Sequence, residues 1–442
     1  MKKIKIGLIG AGFMGRTHST AYKSVNNIFG DDYVPELVVV ADVNSDNAKA
    51  LAEKYGFKRW TTDWHEVVSD PEVELVDITT PNASHCPIAV EAAKHGKNVY
   101  CEKPLSMTAQ EAVNATKVVE DAGIVTSVGF NYVRNPIQQY VKELIASGEL
   151  GEVVNFRGMY DQDYYNDPDQ KHEWRMFKSA SASGALGDLA SHTLSLSQYL
   201  IGDIAEVCGM TKIIVPERPD PKDSSRMLPV ENDDVVQFMF NFANGACGTI
   251  FSNRLAAGRK MSLGYEIQMT NGCIVYNQEN QNQVQIYRHD DPKTERGFKT
   301  VLIAPGHGEY DKFYGGAGIC LGYADQKTIE VYHTLQCVAE HKPYEIDFRF
   351  GMKVMQVIGH VPVVAATANQ IIANIPLAEA QTRNRLAYVP DTQEEALCHA
   401  NTEAGGNDVI LADTLAYPTV HNALKEAFPL LVRDDALDKF LR

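Results

Sequence analysis

An acid and a histidine stand four residues apart in the segment SGALGDLASH, residues 183–192. At this spacing Asp188 and His192 would project from the same side of a helix. The small residues around them leave room for a ligand rather than fill it. Histidine has an ordinary pKa of about 6.5, so it can accept a proton from a hydroxyl group near neutral pH. The pair could also be an exposed ion pair on a helix, and other motifs have to decide between the two.

A lysine that could act with this pair follows a predicted strand in the segment VYCEKPL, residues 99–105. Pro104 disfavours a helical conformation for the residue before it, so we expect Lys103 to be extended. The carboxyl end of a parallel strand opens into the ligand crevice of an α/β sheet. Lys103 could therefore point at a ligand in that crevice; the alternative is a solvated lysine in a turn.

Three glycines near the N-terminus, Gly10, Gly12 and Gly15, form a G-x-G-x-x-G motif between a strand-like run and a helical pattern. Such glycines permit a tight turn, a close approach of the backbone to a pyrophosphate and close packing of helix on strand. The helix N-terminus supplies amide groups and a positive dipole end for the phosphates. We predict a dinucleotide-binding loop here, which also includes Phe13 and Met14.

The second predicted strand ends in VVVADVN, residues 38–44. Asp42 at its carboxyl end can accept hydrogen bonds from both hydroxyl groups of an adenine ribose, and it would repel the 2′-phosphate of NADP. Neither of the next two residues is the arginine that usually binds that phosphate, so the sequence favours NAD over NADP. Asp42 could instead cap the next helix, although Ser45 is also available. The interval from Gly15 exceeds the usual one of about 20 residues, which we attribute to the loop NNIFGDDYVP, residues 26–35.

The elements that must position these residues alternate between strands and helices from residue 3 to about residue 130. Five runs are predicted to be strands: KIKIGLIG, LVVVADV, ELVDITT, KNVYCEK and IVTSVGF. Their Val and Ile content indicates a parallel sheet that is covered on both faces. Later segments are longer, and Asn-Gly pairs at 244 and 271 indicate hairpins of an antiparallel or mixed sheet. The fold class is therefore α/β, with a doubly wound parallel sheet and a second α/β domain. Segments 216–232 and 299–327 are predicted to be irregular loops.

Four segments in order resemble the Gfo/Idh/MocA family, the glucose-fructose oxidoreductase and inositol dehydrogenase type: the glycine motif, TTPNASH (79–85), CEKPL (101–105) and SGALGDLASH (183–192). The resemblance covers about residues 3–375. It implies an N-terminal Rossmann domain (1–130) and a C-terminal α/β domain with a large mixed, mainly antiparallel open sheet (131–377) for substrate binding and oligomerisation. Residues 378–442 are left as a C-terminal extension. The family also implies oxidation or reduction of a sugar or cyclitol hydroxyl, in a homodimer or homotetramer.

The resemblance assigns roles to individual residues. It implies that the helix with Asp188 and His192 faces the nicotinamide ring and Lys103. In this hypothesis His192 takes a proton from a substrate hydroxyl while hydride leaves the same carbon for NAD⁺, and Lys103 stabilises the oxygen. Asp188 either orients His192 or binds a neighbouring hydroxyl. Further residues are expected beside the cofactor, namely Thr80, Asn82, His85, Glu102, Lys103 and Asn131, and beside the substrate, namely Trp174 and Arg175.

Three of these assignments have a structural alternative. His85 could start or cap the following helix, Trp174 could be core packing, and Arg175 could form a surface or interface ion pair. The sequence departs from the family pattern at Ala190, where glycine is common, and at Ser195, near which a further acid is often seen. Both departures preserve the catalytic pair and leave the substrate open.

Composition excludes several kinds of partner. Against 41 Lys and Arg the chain has 57 Asp and Glu, a net charge of −16, which repels nucleic acid and anionic membranes. The cysteines are too widely spaced for a CxxC or zinc motif, no third ligand suggests a metal site beside Asp188 and His192, and reduced thiols fit the cytoplasm. Polar residues interrupt the apolar stretch 354–375, whereas a membrane span needs about 20 apolar residues.

The leading prediction is an NAD-dependent dehydrogenase that oxidises a hydroxyl group of a sugar, a sugar derivative or an inositol. One alternative is a redox-assisted glycosidase that oxidises its sugar transiently, eliminates the aglycone and re-reduces the product with tightly held NAD. Another is a non-catalytic dinucleotide-binding sensor that acts through a protein partner. Retention of Lys103, Asp188 and His192 together argues against the sensor.

Overall fold

The computed structural model describes residues 1–361 and 375–376. The predicted extension 378–442 lies outside the described residues. The strands are β1 Lys2–Ile9, β2 Tyr33–Ala41, β3 Arg59–Thr61, β4 Leu75–Ile78, β5 Asn98–Glu102, β6 Thr126–Gly129, β7 Val153–Asp161, β8 Ile204–Lys212, β9 Glu217–Pro219, β10 Met227–Pro229, β11 Val235–Phe242, β12 Cys247–Asn253, β13 Ser262–Met269, β14 Gly272–Asn277, β15 Gln283–Arg288, β16 Lys299–Leu302 and β17 Ile375–Pro376. The α-helices are α1 Phe13–Phe29, α2 Ser45–Tyr55, α3 Trp64–Val68, α4 His85–Lys94, α5 Ala109–Asp121, α6 Pro136–Ala146, α7 Lys178–Ser181, α8 Ser191–Leu200, α9 Tyr310–Phe313, α10 Tyr323–Glu340 and α11 Phe348–His360.

The first sheet is a six-stranded parallel sheet with the order β3-β2-β1-β4-β5-β6. This is the strand order of a doubly wound dinucleotide-binding fold, and it confirms the predicted fold class. All four residues of β4 are buried, as are the last five of β2, which explains their almost continuous apolar sequence. The five predicted strands are all present. The sequence did not indicate β3, because its three residues form a short strand that is not buried.

Two local features at the start of the chain differ from the prediction. Helix α1 extends to Phe29, and only residues 30–32 separate it from β2. The long interval between Gly15 and Asp42 therefore lies in a long helix and a long strand, and the predicted loop 26–35 was wrong. The cap of α2 is Asn44, whose side chain accepts hydrogen bonds from the amides of Asp46 (2.9 Å) and Asn47 (3.2 Å).

The second sheet has nine strands in the order β16-β15-β14-β13-β7-β12-β11-β8-β17. Strands β7 and β12 pair in parallel and the other pairs are antiparallel, so the sheet is mixed and mainly antiparallel, as predicted. Both predicted hairpins are present, between β11 and β12 and between β13 and β14. Asn244 and Gly245 lie in the first turn, whereas the second turn consists of Thr270 and Asn271, and Gly272 is already the first residue of β14, opposite Met269. Helix α8 packs on one face of the sheet. The other face carries exposed side chains of Met159, Met239 and Phe251.

The two predicted loops contain regular structure. Strands β9 and β10 form a short antiparallel pair within 216–232, and the segment 299–327 includes β16, α9 and the first turn of α10. Helix α10 then packs against α1, where Val331 and Leu335 join the core formed by Ile4, Ile6 and Leu8. A helix from late in the chain therefore contributes to the core beside the first sheet. The domain limits at 130 and 377 stay a prediction.

Three further properties concern residues 1–361. In this part of the chain, no helix combines the length and the apolar character that a bilayer span requires. It also holds no group of three His, Cys, Asp or Glu side chains arranged to bind a metal ion. The cysteines within this range are free thiols: Cys86, Cys101, Cys208, Cys247, Cys273, Cys320 and Cys337.

Candidate active site

A cavity of about 1050 Å³ opens at the carboxyl ends of the first sheet. The ends of β1, β2, β4 and β5 line it through Ile9, Gly10, Ala41, Asp42, Thr79, Thr80, Glu102 and Lys103. Residues that follow later in the chain close the opposite side, namely Tyr160, Gln162, Trp174, Arg175, Ser183, Asp188, His192, Arg254, Met261 and Tyr323. The cavity thus joins the predicted cofactor loop to the predicted catalytic residues.

The glycine motif has the backbone geometry that its sequence predicts. Gly10 has a φ of +106°, a left-handed conformation that side chains rarely adopt, and a Cβ on Gly15 would lie 2.0 Å from the carbonyl oxygen of Gly10. A Cβ on Gly12, by contrast, would meet nothing within 4 Å. Gly12 caps α1 without any side-chain hydrogen bond, and the first turn contains no acid. The amide groups at this helix end are therefore available, and the site fits an anionic pyrophosphate.

Asp42 connects the end of β2 to the glycine loop. Its Oδ2 accepts a hydrogen bond from the Ala11 amide (2.7 Å), and its Oδ1 accepts one from the Asn44 amide (2.9 Å). These bonds fix the carboxylate where it lines the cavity. Each carboxylate oxygen can accept a further hydrogen bond, so the residue fits the two hydroxyl groups of a ribose.

Lys103 and Asp188 form an ion pair in the cavity wall. The Nζ atom of Lys103 lies 2.9 Å from Asp188 Oδ1 and 3.0 Å from the carbonyl oxygen of Asp188. Asp188 Oδ2 accepts a hydrogen bond from the hydroxyl of Tyr164 (3.0 Å), and the Nε atom of Arg175 lies 3.7 Å away. Burial would raise the pKa of Asp188, but Lys103 and Arg175 together hold that pKa well below its usual range. The carboxylate is therefore ionised. The peptide bond between Lys103 and Pro104 is cis.

The segment that carries Asp188 and His192 is not one regular α-helix. Residues Leu186–Ala190 form a π-helical turn, and α8 begins directly after it. The predicted common α-helical face was therefore wrong in detail, although both side chains line the same cavity. Among the described hydrogen bonds, none joins Asp188 to His192, because the Asp188 carboxylate faces Lys103 and Tyr164. The geometry thus gives no direct support to an orienting role of Asp188 on His192.

The start of this segment is held by a carboxylate from another part of the chain. Asp233 accepts hydrogen bonds from the amides of Gly184 (2.7 Å) and Leu186 (2.8 Å). A Cβ on Gly184 would lie 1.8 Å from the carbonyl oxygen of Asp233, so only glycine permits this approach. The two bonds supply partners for amide groups that a helix start leaves without any, and they fix the position of the segment that carries Asp188 and His192.

His192 is buried beside aromatic rings. Its ring centroid lies 4.4 Å from that of Tyr132, and within residues 1–361 its Nδ1 atom has no hydrogen-bond partner. Burial lowers the pKa of His192 well below its ordinary value, and the nearby Lys103 ammonium lowers it further. The imidazole is therefore neutral at neutral pH, as a group that accepts a proton must be.

His85 is the predicted cofactor residue that the structure places elsewhere. It begins α4 and is fully buried, and its side chain does not line the cavity. Its Nδ1 lies 2.8 Å from the carbonyl oxygen of Pro104 and its Nε2 lies 2.8 Å from that of Thr80. His85 therefore links two backbone segments that line the cavity. The position beside the cofactor stays a prediction, to which the cavity lining gives no direct support, and the alternative, a residue that starts the helix, fits.

The other predicted residues line the cavity: Phe13, Met14, Thr80, Asn82, Glu102, Asn131, Trp174 and Arg175. The Asn82 side chain donates to the carbonyl oxygen of Ser181 (3.3 Å). The buried Nδ2 of Asn131 has no protein partner in the described part of the chain, so it is available to a ligand. The guanidinium of Arg175 lies 4.4 Å from the centre of the Trp174 ring. Both side chains are partly exposed at the cavity, so Trp174 is not core packing.

Ala190 and Ser195, the two residues at which the sequence departs from the family pattern, are both buried. Ser195 is buried in α8, where its hydroxyl donates to the carbonyl oxygen of His192 (2.8 Å), and Ala190 is buried at the end of the π-helical turn. Several residues of the cavity wall were not predicted. Ser183 and Tyr132 stand inside or beside the segments singled out above, whereas no motif surrounds the others, Tyr160, Gln162, Arg254, Met261 and Tyr323. Arg254 is held by Asp234 Oδ1 (2.8 Å) and by the carbonyl oxygen of Asn232 (3.0 Å).

Comparisons with known proteins agree with this arrangement. A model of an oxidoreductase family with an NAD-binding Rossmann fold matches residues 4–130, and a model of the GFO/IDH/MocA C-terminal domain matches residues 138–275. Levoglucosan dehydrogenase of Pseudarthrobacter phenanthrenivorans is 36% identical over 366 residues, which cover 80% of this chain and 94% of that protein. A solved structure of levoglucosan dehydrogenase with NADH and levoglucosan has a TM-score of 0.78 at 37% identity and covers 81% of this chain and 95% of that chain. The NAD⁺-dependent scyllo-inositol 2-dehydrogenase of Bacillus subtilis is 27% identical over 57% of this chain and 68% of its own.

Proposed function

The chain belongs to the Gfo/Idh/MocA oxidoreductase family, and from this membership we propose that it is an NAD-dependent dehydrogenase of a sugar, a sugar derivative or an inositol. The observation that carries the proposal is the cavity in which Lys103, Asp188 and His192 lie together with the glycine loop and Asp42. A cofactor site and a proton acceptor in one cavity are what the oxidation of an alcohol requires.

The overall reaction converts a CH–OH group and NAD⁺ into a C=O group, NADH and one proton. The chemistry that bound NAD supplies is acceptance of the hydride that leaves the carbon. His192, neutral in its buried position, accepts the proton of the hydroxyl. Lys103 donates a hydrogen bond to the same oxygen and stabilises its developing negative charge. Asp188 keeps the Lys103 ammonium in place and is a positioning residue for it.

The cofactor-binding part of the proposal rests on the N-terminal residues. The open amide groups at the start of α1 would hold the pyrophosphate, with Gly12 leaving the space for it. Asp42 would bind the adenine ribose and disfavour the 2′-phosphate of NADP. Asn131, with its free amide group, and Glu102 are proposed to lie beside the nicotinamide half.

The substrate side of the cavity is rich in groups that can bind hydroxyls. Besides the catalytic residues it presents the side chains of Tyr160, Gln162, Arg175 and Arg254. Its charged groups are paired within the protein: Lys103 lies against Asp188, Arg175 lies against both Asp188 and Glu173, and Arg254 lies against Asp234. Donors and acceptors without a net charge suit a neutral polyol. The similarity to levoglucosan dehydrogenase makes a 1,6-anhydro sugar the first substrate to test.

The two alternative functions, the redox-assisted glycosidase and the non-catalytic sensor, are not favoured, since these relatives are dehydrogenases that act on sugars or inositols.

We also propose that the enzyme works in the cytoplasm and that it forms a homodimer or homotetramer through the open face of the second sheet. The exposed Met159, Met239 and Phe251 on that face support the second proposal. We further propose a domain that spans residues 1–130, a second domain that spans residues 131–377, and a C-terminal extension that spans residues 378–442.

A substrate panel tests the proposed function. Purified protein would be mixed with 1,6-anhydro sugars, aldoses, inositols and glycosides, each with NAD⁺ or NADP⁺, and the absorbance of reduced nicotinamide would be followed. We expect one class of neutral polyol to reduce NAD⁺ and to yield the corresponding carbonyl compound. Cleavage of a glycoside without net formation of NADH would contradict the proposal, and so would binding of NAD⁺ with no turnover of any compound.

A further inference from the structure

We propose that a buried charge cluster beside the cavity makes the protein bind the oxidised nicotinamide cofactor in preference to the reduced one. The cluster, called the Glu102 cluster below, consists of His18, Asp77, Glu102, Lys327 and Glu330. The inference rests on the proposed function, because it needs a nicotinamide ring in the cavity. It goes beyond that function, because it assigns a role to four residues that are not in the cavity wall.

The five side chains of the Glu102 cluster form one connected chain. His18 Nδ1 lies 2.9 Å from Asp77 Oδ2, and His18 Nε2 lies 2.8 Å from Glu102 Oε1. Lys327 Nζ lies 2.8 Å from the same Glu102 oxygen and 2.5 Å from Glu330 Oε2. These residues come from α1, β4, β5 and α10, so the cluster exists only in the folded protein.

Burial isolates the Glu102 cluster from water. His18, Asp77, Lys327 and Glu330 are fully buried, and Glu102 is 5% exposed. Two tyrosines complete the surroundings: the hydroxyl of Tyr22 donates to Asp77 Oδ2 (3.0 Å), and that of Tyr100 contacts Lys327 Nζ (3.1 Å) and Glu330. The ring of His18 also stacks on the ring of Tyr100, with centroids 4.7 Å apart.

The Glu102 cluster carries a net negative charge in either protonation state of its histidine. It contains three carboxylates and one lysine, so the sum is −1 when His18 is protonated and −2 when it is neutral. Burial would lower the pKa of His18, but the interactions with Asp77 and Glu102 together raise that pKa above its ordinary value. Burial would raise the pKa of Glu102, but Lys327 and His18 hold it well below its usual range. Glu102 is thus ionised at any pH at which the enzyme would work.

Glu102 brings this charge to the cavity. It is the member of the cluster that lines the cavity, and its Oε2 accepts a hydrogen bond from the backbone amide of Lys103 (3.2 Å). The neighbouring charges do not cancel it, because the Lys103 ammonium is paired with Asp188. For hydride transfer the reacting carbon must lie within reach of Lys103 and His192, which places the nicotinamide near Glu102.

Charge distinguishes the two forms of the cofactor. The oxidised nicotinamide ring is a cation and the reduced ring is neutral, whereas the rest of the molecule is the same. A fixed negative charge in a site that excludes water attracts the cation strongly. The Glu102 cluster therefore stabilises the oxidised form selectively, and this helps an enzyme that starts its reaction with NAD⁺.

If the Glu102 cluster only stabilised the fold, its loss would not change the preference between the two forms of the cofactor. Buried ion pairs also connect elements, and this one connects α10 to the first sheet, so loss of any member would weaken the fold and both forms of the cofactor alike. If Glu102 acted only through direct contact with the cofactor, a substitution of Glu102 would change the preference for NAD⁺ and a substitution of the other members of the cluster would not. Glu330 decides between these accounts, because it belongs to the cluster and does not line the cavity.

The experiment measures the Kd of NAD⁺ and of NADH by titration calorimetry, with the full chain and no substrate. The variants are Glu102→Gln, Glu102→Asp, Glu330→Gln and, as a matched control, Glu53→Gln on the exposed surface of α2, where the carboxylate is 69% exposed. Thermal unfolding and circular dichroism establish which variants fold. The quantity compared is the ratio of the NAD⁺ Kd to the NADH Kd.

We expect this ratio to rise about tenfold in Glu102→Gln and severalfold in Glu330→Gln. It should stay within about twofold of the parent in Glu102→Asp and in Glu53→Gln, which keep the charge of the cluster. An unchanged ratio in Glu102→Gln overturns the inference, and so does a change in Glu102→Gln without one in a folded Glu330→Gln. If Glu330→Gln does not fold, equal ratios in Glu102→Gln and Glu102→Asp overturn it. Failure of the parent protein to bind either dinucleotide would instead refute the proposed function, and the inference with it.

Discussion

The ammonium group of Lys103 contacts Asp188 twice, through the carboxylate Oδ1 at 2.9 Å and through the main-chain carbonyl oxygen at 3.0 Å. The contact joins the carboxyl end of β5 to the π-helical turn before α8. A charge-assisted bond of this kind fixes the position of a flexible lysine, which on its own has many rotamers. The position of the Lys103 ammonium thus depends on a residue from a distant part of the chain.

Loss of the Asp188 charge should release Lys103. We expect Asp188→Asn to lower kcat by about 100-fold or more, because the lysine loses its ionic partner, while the Kd of NAD⁺ changes by less than about threefold. Steady-state kinetics and a binding titration measure the two quantities. Asp203→Asn is the matched control, because Asp203 forms an exposed ion pair with Lys353. A normal kcat in Asp188→Asn would contradict the role of Asp188 as the residue that positions Lys103.

The pH profile should report the state of His192. The residue must be neutral to accept a proton, and burial together with Lys103 lowers its pKa below the ordinary 6.5. Activity is therefore present above the lowered pKa and is lost as the pH falls through it. We expect the acidic limb of kcat/KM to lie below about pH 6.5. A limb above that value would mean that His192 is not buried as described or is not the proton acceptor.

Two glycines of the same motif should respond differently to alanine. A Cβ at position 12 meets nothing within 4 Å, so Gly12→Ala should shift Tm by less than about 3 °C and yet raise the Kd of NAD⁺ at least tenfold, because the methyl group projects into the cavity. A Cβ at position 15 would lie 2.0 Å from the Gly10 carbonyl oxygen. Gly15→Ala should therefore lower Tm as well as affinity. Equal effects on Tm would refute this distinction.

Cofactor choice should depend on Asp42. Replacement of its carboxylate in Asp42→Ser removes the acceptor for the ribose hydroxyls and the repulsion of a 2′-phosphate. We expect the preference for NAD⁺ over NADP⁺, measured as the ratio of kcat/KM values, to fall at least tenfold. The same substitution at Asp46, an acid in the first turn of α2 with no contact to the cavity, is the control and should leave the ratio unchanged.

The parts of the fold that the sequence predicts correctly have local causes. The buried parts of strands β2 and β4 are rich in Val, Leu and Ile, and both predicted hairpins turn at or directly beside an Asn-Gly pair, whose backbone preference acts over two residues. The glycine motif likewise places its requirements on adjacent backbone atoms. Asp42 and Lys103 line one cavity because the carboxyl ends of β2 and β5 lie at the same edge of the first sheet.

The features that the sequence did not reveal depend on tertiary contacts. The π-helical turn at Leu186–Ala190 is held by Asp233, which is distant in sequence, and the burial of His85 between two carbonyl oxygens depends on how α4 packs. The same holds for Lys327, which reaches Glu102 only because α10 packs against α1. No periodicity or motif records such pairings.

Comparison of the parent protein with His192→Ala, on the substrate that the panel identifies, tests whether His192 is the proton acceptor. We expect the variant to bind NAD⁺ with a Kd within about threefold of the parent and to form NADH at least about 1000-fold more slowly. Added imidazole should restore part of the rate, since it can occupy the space and accept the proton. A variant that forms NADH at the parental rate, or one whose loss of activity is fully explained by loss of NAD⁺ binding, would contradict the assignment of His192 as the proton acceptor.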